Sequence, residues 1–197
     1  QRKGDPVIFA HDEGYRADAS MATLGALKPL EVKAIPGAIV TAGNASQQND
    51  AAAACLVVAE DKLEELGLEP IAWFHSAASA GCDPARMGIG PVPAVERLFA
   101  RNGLGWGDVD LVELNEAFAP QVLAVLKGWG WSADDSRNDM LNVNGSGISL
   151  GHPIGATGGR ILANLTRELQ RRGGRYGLET MCIGGGQGIA AIFERAA

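Results

Sequence analysis

The 197-residue sequence predicts an α/β fold in which strands and helices form layers. From residue 71 onward, runs typical of strands alternate with runs in which apolar residues recur at helical spacing. Gly67 and Gly103 end two predicted helices, one before and one after residue 71, at the position where glycine commonly ends a helix. Near the carboxyl end, two apolar runs flank the turn Gly-Gly-Gly-Gln (184–187), which is typical of an antiparallel pair of strands.

The predicted elements follow one another along the whole chain. Residues 1–48 hold prolines and glycines without clear periodicity, and we expect loop with short extended pieces there. The run Ala-Ala-Ala-Ala-Cys-Leu-Val-Val-Ala (51–59) suits a buried strand, with Cys55 in the core. Further strands are predicted at 71–79, 108–115, 141–143, 175–183 and 188–195, and helices at 61–67, 93–103, 116–130 and 156–172.

Composition and charge argue against several classes of protein. A net charge of −6 and a pI near 5.1 disfavour a nucleic-acid-binding protein, which normally presents a basic surface. No apolar run reaches the roughly 18 residues of a membrane span, and the first residues do not resemble a signal peptide. The three cysteines form no Cys-x-x-Cys pair, which disfavours disulfides and a metal site and favours a cytoplasmic location. Because the sequence begins with Gln1 and not with Met, we expect that the chain has been processed or truncated, and truncation is the favoured interpretation.

Three polar positions fall at the ends of predicted elements, where α/β proteins commonly build their sites. Asn115 and Glu116 follow a strand, His152 lies in a glycine-rich approach to a helix, and Cys182 precedes three glycines. None of the glycine runs has the spacing of a dinucleotide-binding motif or a P-loop, so a nucleotide site is disfavoured.

His152 is followed by Pro153, which disfavours helical backbone at His152 and keeps it in the approach to the helix. The free N–H groups at a helix start lower the pKa of an imidazole, and a neutral ring can act as a base or donate to an oxyanion. A buried, hydrogen-bonded histidine that fills a tight loop is the alternative, and the local sequence supports both interpretations equally.

Cys182 and Asn115 each have a structural and a chemical interpretation. The glycines after Cys182 expose N–H groups beside the sulfur, which would lower the pKa of the thiol and supply oxyanion donors. A cysteine at the end of an apolar strand is otherwise a small core residue. Asn115 alone is best explained as a helix cap, and its chemical alternative is an amide that holds a water or a carbonyl. Cys82 is interpreted as a turn residue.

Three motifs follow one another in the second half of the chain. They are Asn-Glu-Ala-Phe-Ala (115–119), Gly-His-Pro-Ile-Gly-Ala (151–156) and Cys-Ile-Gly-Gly-Gly-Gln-Gly (182–188). In this order they resemble the thiolases, the acetyl-CoA acetyltransferases and 3-ketoacyl-CoA thiolases. Supporting matches at 41–46, 87–94 and 173–178 extend the resemblance over essentially the whole chain.

The resemblance implies a layered αβαβα fold that is built from two similar halves and a loop domain. This chain is then expected to be the C-terminal half with part of the loop domain. Residues 1–48 would be the tail of the loop domain, 49–70 the closing strand and helix of the N-terminal domain, and 71–197 the C-terminal domain.

The resemblance also assigns roles to individual residues of this chain. Cys182 matches the cysteine that moves a proton to and from the α-carbon of acetyl-CoA. His152 matches the histidine that activates the nucleophile and helps to form an oxyanion hole for the enolate, and Asn115 matches the residue that holds the water completing that hole. Gly184 matches the glycine whose N–H joins the oxyanion hole of the acyl-enzyme. The matched substrate-binding residues near the acyl group and the pantetheine arm of CoA are Ser46, Met87, Ala117 and Phe118.

No residue of this chain matches the nucleophilic cysteine of the family, which we expect in an absent N-terminal portion. The chain is therefore expected to be inactive alone. The resemblance implies CoA thioesters as substrates, no cofactor and no metal. The implied partners are acyl-CoA or CoA, the missing N-terminal portion and further copies in a homo-oligomer. A non-catalytic assembly subunit or fragment is the alternative, and a Cys-His-Asn hydrolase is disfavoured by the order of the motifs.

Overall fold

A four-stranded mixed sheet lies at the centre of the chain, in the computed structural model that describes residues 4–30 and 35–196. The strands are β1 (Ala72–Gly81), β2 (Val109–Leu114), β3 (Tyr176–Ile183) and β4 (Gln187–Arg195). Their spatial order is β1-β4-β3-β2. Strand β4 pairs antiparallel with both of its neighbours, whereas β2 and β3 are parallel. The carboxyl ends of β2 and β3 therefore lie at the same edge of the sheet.

Six α-helices and three short 3-10 helices are found in the described ranges. The α-helices are α1 (Met21–Gly25), α2 (Leu63–Leu66), α3 (Pro91–Asn102), α4 (Ala119–Gly128), α5 (Gly147–Leu150) and α6 (Thr157–Arg172). The 3-10 helices are Glu60–Lys62, Pro84–Ile89 and Ser136–Met140. None of these helices is long and apolar enough to cross a membrane.

Alternate residues of the strands face opposite layers of helices. Val112 of β2 belongs to the buried cluster that contains Leu98 of α3, whereas its neighbour Leu111 packs with Leu165 and Leu169 of α6. The side chains of α4 that join the first cluster lie on the same side of the sheet as α3. The chain thus forms three layers, with α3 and α4 on one side of the sheet and α6 on the other.

Local sequence signals explain where the long helices begin and end. Helix α3 begins at Pro91, whose fixed φ suits a first helical turn, and Gly103 ends it with φ of 74°. Helix α6 carries its buried residues on one stripe and ends at Gly173, with φ of 73°.

The start of α3 lies against the backbone of β4. A Cβ placed on Gly188 would lie 2.1 Å from the backbone carbon of Gly90, and a Cβ on Gly90 would lie 2.2 Å from the backbone oxygen of Gln187. Only glycine allows this approach, which sets the distance between α3 and the sheet.

Most of the predicted elements between residues 61 and 195 are confirmed. The structure contains the short helix predicted before Gly67. It also contains the helices predicted at the positions of α3, α4 and α6 and the strands predicted at the positions of β1 and β2. The two strands around the glycine turn form the expected antiparallel pair. The division of the chain into three domain segments stays a prediction.

The predicted buried strand at 51–59 is wrong. This segment has no regular secondary structure, and Leu56 and Val57 are 77% and 87% exposed. Cys55, expected in the core, is exposed as well. A strand requires a neighbour that satisfies its backbone groups and a layer that covers its apolar side chains. No strand of the described ranges pairs with this segment.

Smaller differences occur in the loops. Helix α1 forms in a segment predicted as loop, where Ser20 caps its first turn through the backbone N–H of Thr23. The strand predicted at 141–143 is reduced to a single bridge between Leu141 and Val112. Asn142, with a positive φ of 46°, turns the chain away from the sheet directly after this bridge.

Gly188→Ala tests the close approach of α3 to β4. We expect the free energy of unfolding to fall by about 1–3 kcal/mol, because the new Cβ would overlap the backbone of Gly90. Gly107→Ala is the matched control, since a Cβ there meets no atom within 4 Å. Urea denaturation of both variants measures the difference, and equal stabilities would contradict the packing described here.

Candidate active site

Asn115 and Cys182 lie close together at the carboxyl edge of the sheet. Asn115 follows the last residue of β2, and Cys182 is the next-to-last residue of β3. The backbone N–H of Asn115 donates to the carbonyl oxygen of Thr180, at 3.0 Å, two residues before Cys182. The parallel pairing of β2 and β3 therefore places both residues at one site.

The side chain of Asn115 is buried among backbone atoms. Asn115 is 1% exposed, and its Oδ1 atom accepts no hydrogen bond from a residue of the described ranges. A Cβ on Gly147 would lie 3.1 Å from this Oδ1 and 2.5 Å from the carbonyl oxygen of Glu116. The glycine at 147 thus provides room for the backbone to approach the amide.

Sequence reasoning missed a hydrogen-bond network that holds the segment after β2. Asn142 Oδ1 accepts from the backbone N–H of Leu114 at 2.8 Å, and Asn142 Nδ2 donates to Leu114 O and to Glu116 Oε1, at 2.9 and 3.1 Å. Ser146 Oγ donates to the same Leu114 carbonyl at 3.1 Å. Asn142 has a positive φ of 46°, and the Asn-Val-Asn-Gly sequence (142–145) is a local signal for a turn at this position.

Glu116 connects this network to α5. Its Oε2 atom accepts from the backbone N–H of Ile148 at 3.2 Å, in the first turn of that helix. The loop that contains His152 begins directly after α5. The contacts of Glu116, Asn142 and Ser146 therefore fix both Asn115 and the approach to His152.

His152 is held on both sides by hydrogen bonds. Its backbone N–H donates to the carbonyl oxygen of Gln47 at 3.0 Å, and its Nδ1 atom lies 2.8 Å from Thr157 Oγ1 at the start of α6. Partial burial lowers the pKa of the imidazole, and the positive charge of Arg160 lowers it further. The predicted direction of the shift is confirmed, but burial rather than the helix start is its first cause. The ring is accordingly neutral at pH 7.

An open cavity of about 600 Å³ lies beside His152. One wall is formed by residues 152–156, and the other by residues 48–53. Gly151 has φ of 91°, and a Cβ there would lie 2.4 Å from Asn49 Oδ1. The glycine before His152 therefore allows the two walls to meet at the base of the cavity.

Cys182 is followed by a turn that only glycines can form. Gly185 and Gly186 have φ of 87° and 89°, and a Cβ on Gly186 would lie 2.5 Å from the carbonyl oxygen of Cys82. Burial raises the pKa of the Cys182 thiol, and the neighbouring Cys82 raises it further. The predicted lowering of this pKa is wrong, because desolvation of the thiolate outweighs the backbone donors. Gly184 is exposed at the start of the turn.

The four residues expected to bind substrate form a second group. The backbone N–H of Ser46 donates to the carbonyl oxygen of Ala117 at 2.9 Å, and Ala45 forms an isolated bridge with Phe118. Phe118 and Met87 line one cavity of about 340 Å³. The segment before residue 47 therefore lies against the segment that follows Asn115.

Asn115, His152 and Cys182 are linked through the backbone and through packing. No hydrogen bond joins their side chains to one another within the described ranges. Helix α6 begins with Thr157, the hydrogen-bond partner of His152. It approaches β3 at Gly158, where an added Cβ would lie 3.8 Å from the Met181 methyl group. In the same part of the chain, no group of three or more histidine, cysteine or acidic side chains is arranged to hold a metal ion.

Two family models match this chain. The model described as "Thiolase, C-terminal domain" matches residues 68–195, and the model described as "Thiolase, N-terminal domain" matches residues 1–61. The chain belongs to the thiolase family. The order of the three motifs around Asn115, His152 and Cys182 predicted this family correctly.

Relatives and solved structures of thiolases agree with this assignment. An acetyl-CoA acetyltransferase of Chromobacterium violaceum is 50% identical over 195 residues, covering 99% of this chain and 48% of the relative. A beta-ketothiolase of Cupriavidus necator is 53% identical over 194 residues, covering 98% of this chain and 47% of the relative. The chain spans about half the length of the curated relatives it matches.

The fold comparison confirms the thiolase fold. The crystal structure of the Bacillus anthracis acetyl-CoA acetyltransferase matches with a TM-score of 0.84 and 42% identity, covering 96% of this chain and 46% of that one. Human mitochondrial 3-ketoacyl-CoA thiolase in complex with CoA matches with a TM-score of 0.82 and 42% identity, covering 94% and 45% of the two chains.

The raised pKa of Cys182 predicts slow alkylation at neutral pH. At pH 7.5 we expect iodoacetamide to modify Cys182 about tenfold more slowly than the exposed Cys55, because little thiolate forms and the sulfur is half-buried. The difference should narrow as the pH rises towards 10. Peptide mass spectrometry of one sample reports both cysteines, and faster labelling of Cys182 at pH 7.5 would contradict the burial of its thiol.

Proposed function

We propose that this chain is the C-terminal part of an acyl-CoA C-acetyltransferase, a thiolase that catalyses the reversible Claisen condensation and thiolysis of 3-ketoacyl-CoA. The observation that supports the proposal is the meeting of Asn115, Cys182 and the loop of His152 at one edge of the sheet in a chain of the thiolase family.

In the proposed reaction, Cys182 carries the proton of the α-carbon. The neutral Cys182 thiol first gives its proton to the CoA thiolate that leaves in the acylation step. The resulting Cys182 thiolate then accepts a proton from the methyl group of acetyl-CoA, and the electron pair of the broken C–H bond forms the enolate. A thiol with a raised pKa gives a more basic thiolate, which favours proton removal from a weak carbon acid. The thiol returns the proton to the α-carbon in the thiolysis direction.

His152 and Asn115 are proposed to stabilise the enolate oxygen. If the Thr157 hydroxyl donates to Nδ1, the proton of the neutral imidazole resides on Nε2, from which it can be donated to the oxyanion. Asn115 would hold a water as the second donor, with the unpartnered Oδ1 as the acceptor for that water. Both donors are held before the reaction by the contacts of α5, α6 and β2.

The nucleophile is proposed to come from outside these 197 residues. Its thiolate attacks an acyl-CoA carbonyl, a C–S bond forms, and the CoA thiolate leaves. The enolate carbon then attacks the acyl-cysteine, the new C–C bond forms, and the C–S bond breaks to release the cysteine thiolate. The exposed backbone N–H of Gly184 is proposed to donate to the oxyanion of the acyl-enzyme.

CoA thioesters are proposed as substrates, without a resident cofactor. The group formed by Ser46, Ala117, Phe118 and Met87 would contact the pantetheine arm and the acyl group. The cavity beside Phe118 and Met87 is largely apolar, as a short acyl chain requires. Assembly of the complete protein into homo-oligomers and a cytoplasmic location are further proposals.

A non-catalytic subunit or fragment is the second candidate. Leu56, Val57 and Ile154 are all at least 74% exposed, and exposed apolar side chains favour a surface that binds another polypeptide. The two candidate functions predict different results when this chain associates with another polypeptide. A thiolase part gives turnover in the complex, whereas a non-catalytic subunit does not.

Complementation tests the proposed function. The chain is co-expressed with the portion of the Chromobacterium violaceum relative that it does not cover, and thiolysis of acetoacetyl-CoA is measured. We expect no turnover by either part alone and activity for the complex. Cys182→Ala or His152→Ala should lower kcat at least about 100-fold, because each removes a proton carrier or an oxyanion donor.

Cys55→Ala is the matched control, because Cys55 is exposed and belongs to none of the site contacts described above. Robust turnover by the chain alone would overturn the proposal. A stable complex that contains this chain, binds CoA and lacks turnover would favour the non-catalytic candidate.

A further inference from the structure

Three charged side chains have buried charged atoms on the elements that carry the candidate active site. Glu113 is on β2, Glu179 is on β3, and Arg160 is on α6. Each of these elements is also connected to one residue of the candidate site. Strand β2 leads to Asn115, β3 contains Cys182, and α6 follows the loop of His152. We call Glu113, Glu179 and Arg160 the buried charge cluster.

Strand register places both carboxylates on the side of the sheet that faces α6. Glu113 and Glu179 are direct partners in the parallel pairing of β2 and β3. Two residues earlier on each strand, Leu111 packs with Leu165 of α6, and Gly177 lies against the same leucine. Because side chains alternate along a strand, Glu113 and Glu179 share that face.

Arg160 lies on α6 one turn after Thr157, the hydrogen-bond partner of His152. It follows Thr157 by three residues on α6, and side chains at this spacing are neighbours on a helix. Its three guanidinium nitrogens are buried and make no hydrogen bond with the described residues. Oε2 of Glu113 and Oε2 of Glu179 are also buried without such a partner. Arg160 and Glu179 both act on the Glu113 carboxyl through charge.

The ionisation of the cluster leaves the charge of Arg160 incompletely balanced. Burial raises the pKa of Glu113 to about 8 and the pKa of Glu179 to about 7. Glu113 is consequently mostly protonated at pH 7, and Glu179 is about half protonated. Arg160 lowers the pKa of Glu113 and also that of His152. The positive charge thus acts on the imidazole as well as on the carboxyls.

We propose that Arg160, whose buried guanidinium lies on α6 one turn after the Thr157 partner of His152, is a positioning residue that keeps the His152 imidazole neutral. The effect on the reaction rate rests on the proposed thiolase function, whereas the effect on the imidazole does not. A protonated imidazole cannot accept the hydrogen bond of Thr157 at Nδ1 and cannot act as a base.

Other charged groups around His152 are few in the described ranges. Asp50 lines the opposite wall of the cavity and would favour the protonated ring. The carboxylate of Glu116 is held by Asn142 and by the start of α5. The Cys182 thiol is neutral at pH 7 because of its raised pKa. Arg160 is therefore the cationic group that opposes protonation of His152.

NMR titration of the 197-residue chain tests this role directly. In Arg160→Met and Arg160→Gln we expect the pKa of His152 to rise relative to the parent chain, because the opposing positive charge is lost while the burial of the ring remains. Arg160→Lys keeps the charge and should leave the pKa of His152 close to that of the parent chain. Arg167→Met, on the exposed face of the same helix, is the matched control. The resonances of His11 and His75 serve as internal references.

The pH profile of thiolysis by the complemented protein provides the second measurement. Below pH 7, Arg160→Met and Arg160→Gln should lose up to about tenfold in rate, while at pH 9 they should match the parent. Arg160→Lys should restore the rate at low pH. A side chain with a purely structural role would change the rate equally at all pH values.

An unchanged pKa of His152 in a folded Arg160→Gln or Arg160→Met variant would overturn the proposal. Failure of Arg160→Lys to retain the parent pKa would overturn it as well, since this variant preserves the charge. If the complemented protein shows no thiolysis at all, the proposed function fails, but the NMR titration still decides the role of Arg160.

Discussion

Parallel hydrogen bonding between β2 and β3 directs the carboxyl ends of both strands to one edge of the sheet. Asn115 directly follows β2 at this edge, and its backbone N–H extends the strand pairing by donating to the carbonyl oxygen of Thr180 in β3. Cys182 lies two residues further on, before the glycine turn into β4. The third residue, His152, reaches the same edge because α6 packs on these two strands. Loss of this pairing would separate all three residues.

Two kinds of packing support that edge. Apolar clusters on both faces of the sheet fix the helices, whereas polar contacts of Asn142, Ser146 and Glu116 fix the loops that carry the site. The glycines of the stretch 142–160 allow backbone to approach Asn115 and the neighbourhood of His152 closely. These glycines allow close packing around polar side chains.

Sequence patterns predicted the parts of the fold whose partners lie within the chain. Helices α3 and α6 have apolar stripes and glycine ends, and β3 and β4 are joined by a short glycine turn. The segment 51–59 has an equally strong apolar pattern, but a pattern does not specify the neighbour that a strand requires. The same limit applies to the bridge at Leu141, where the positive φ of Asn142 ends the pairing.

The order of the three motifs predicted the candidate residues of the site. It did not predict the pKa shifts of the buried groups around them. The raised pKa of Cys182 depends on burial at a position where β3 pairs with β4 and where the turn at Gly186 approaches Cys82. The buried charge cluster depends on strand register, which pairs Glu113 with Glu179, two residues 66 positions apart in the chain. Neither property is contained in a local run of residues.

Deuterium incorporation at the α-carbon of acetyl-CoA tests the proposed role of Cys182 as the proton carrier. The complemented protein is incubated with acetyl-CoA in D₂O, and exchange of the methyl hydrogens is followed by mass spectrometry. The account predicts enzyme-dependent exchange that falls at least about 100-fold in Cys182→Ala, while acetylation of the nucleophilic cysteine persists. Exchange that is unchanged in Cys182→Ala would contradict the role of Cys182 as the proton carrier.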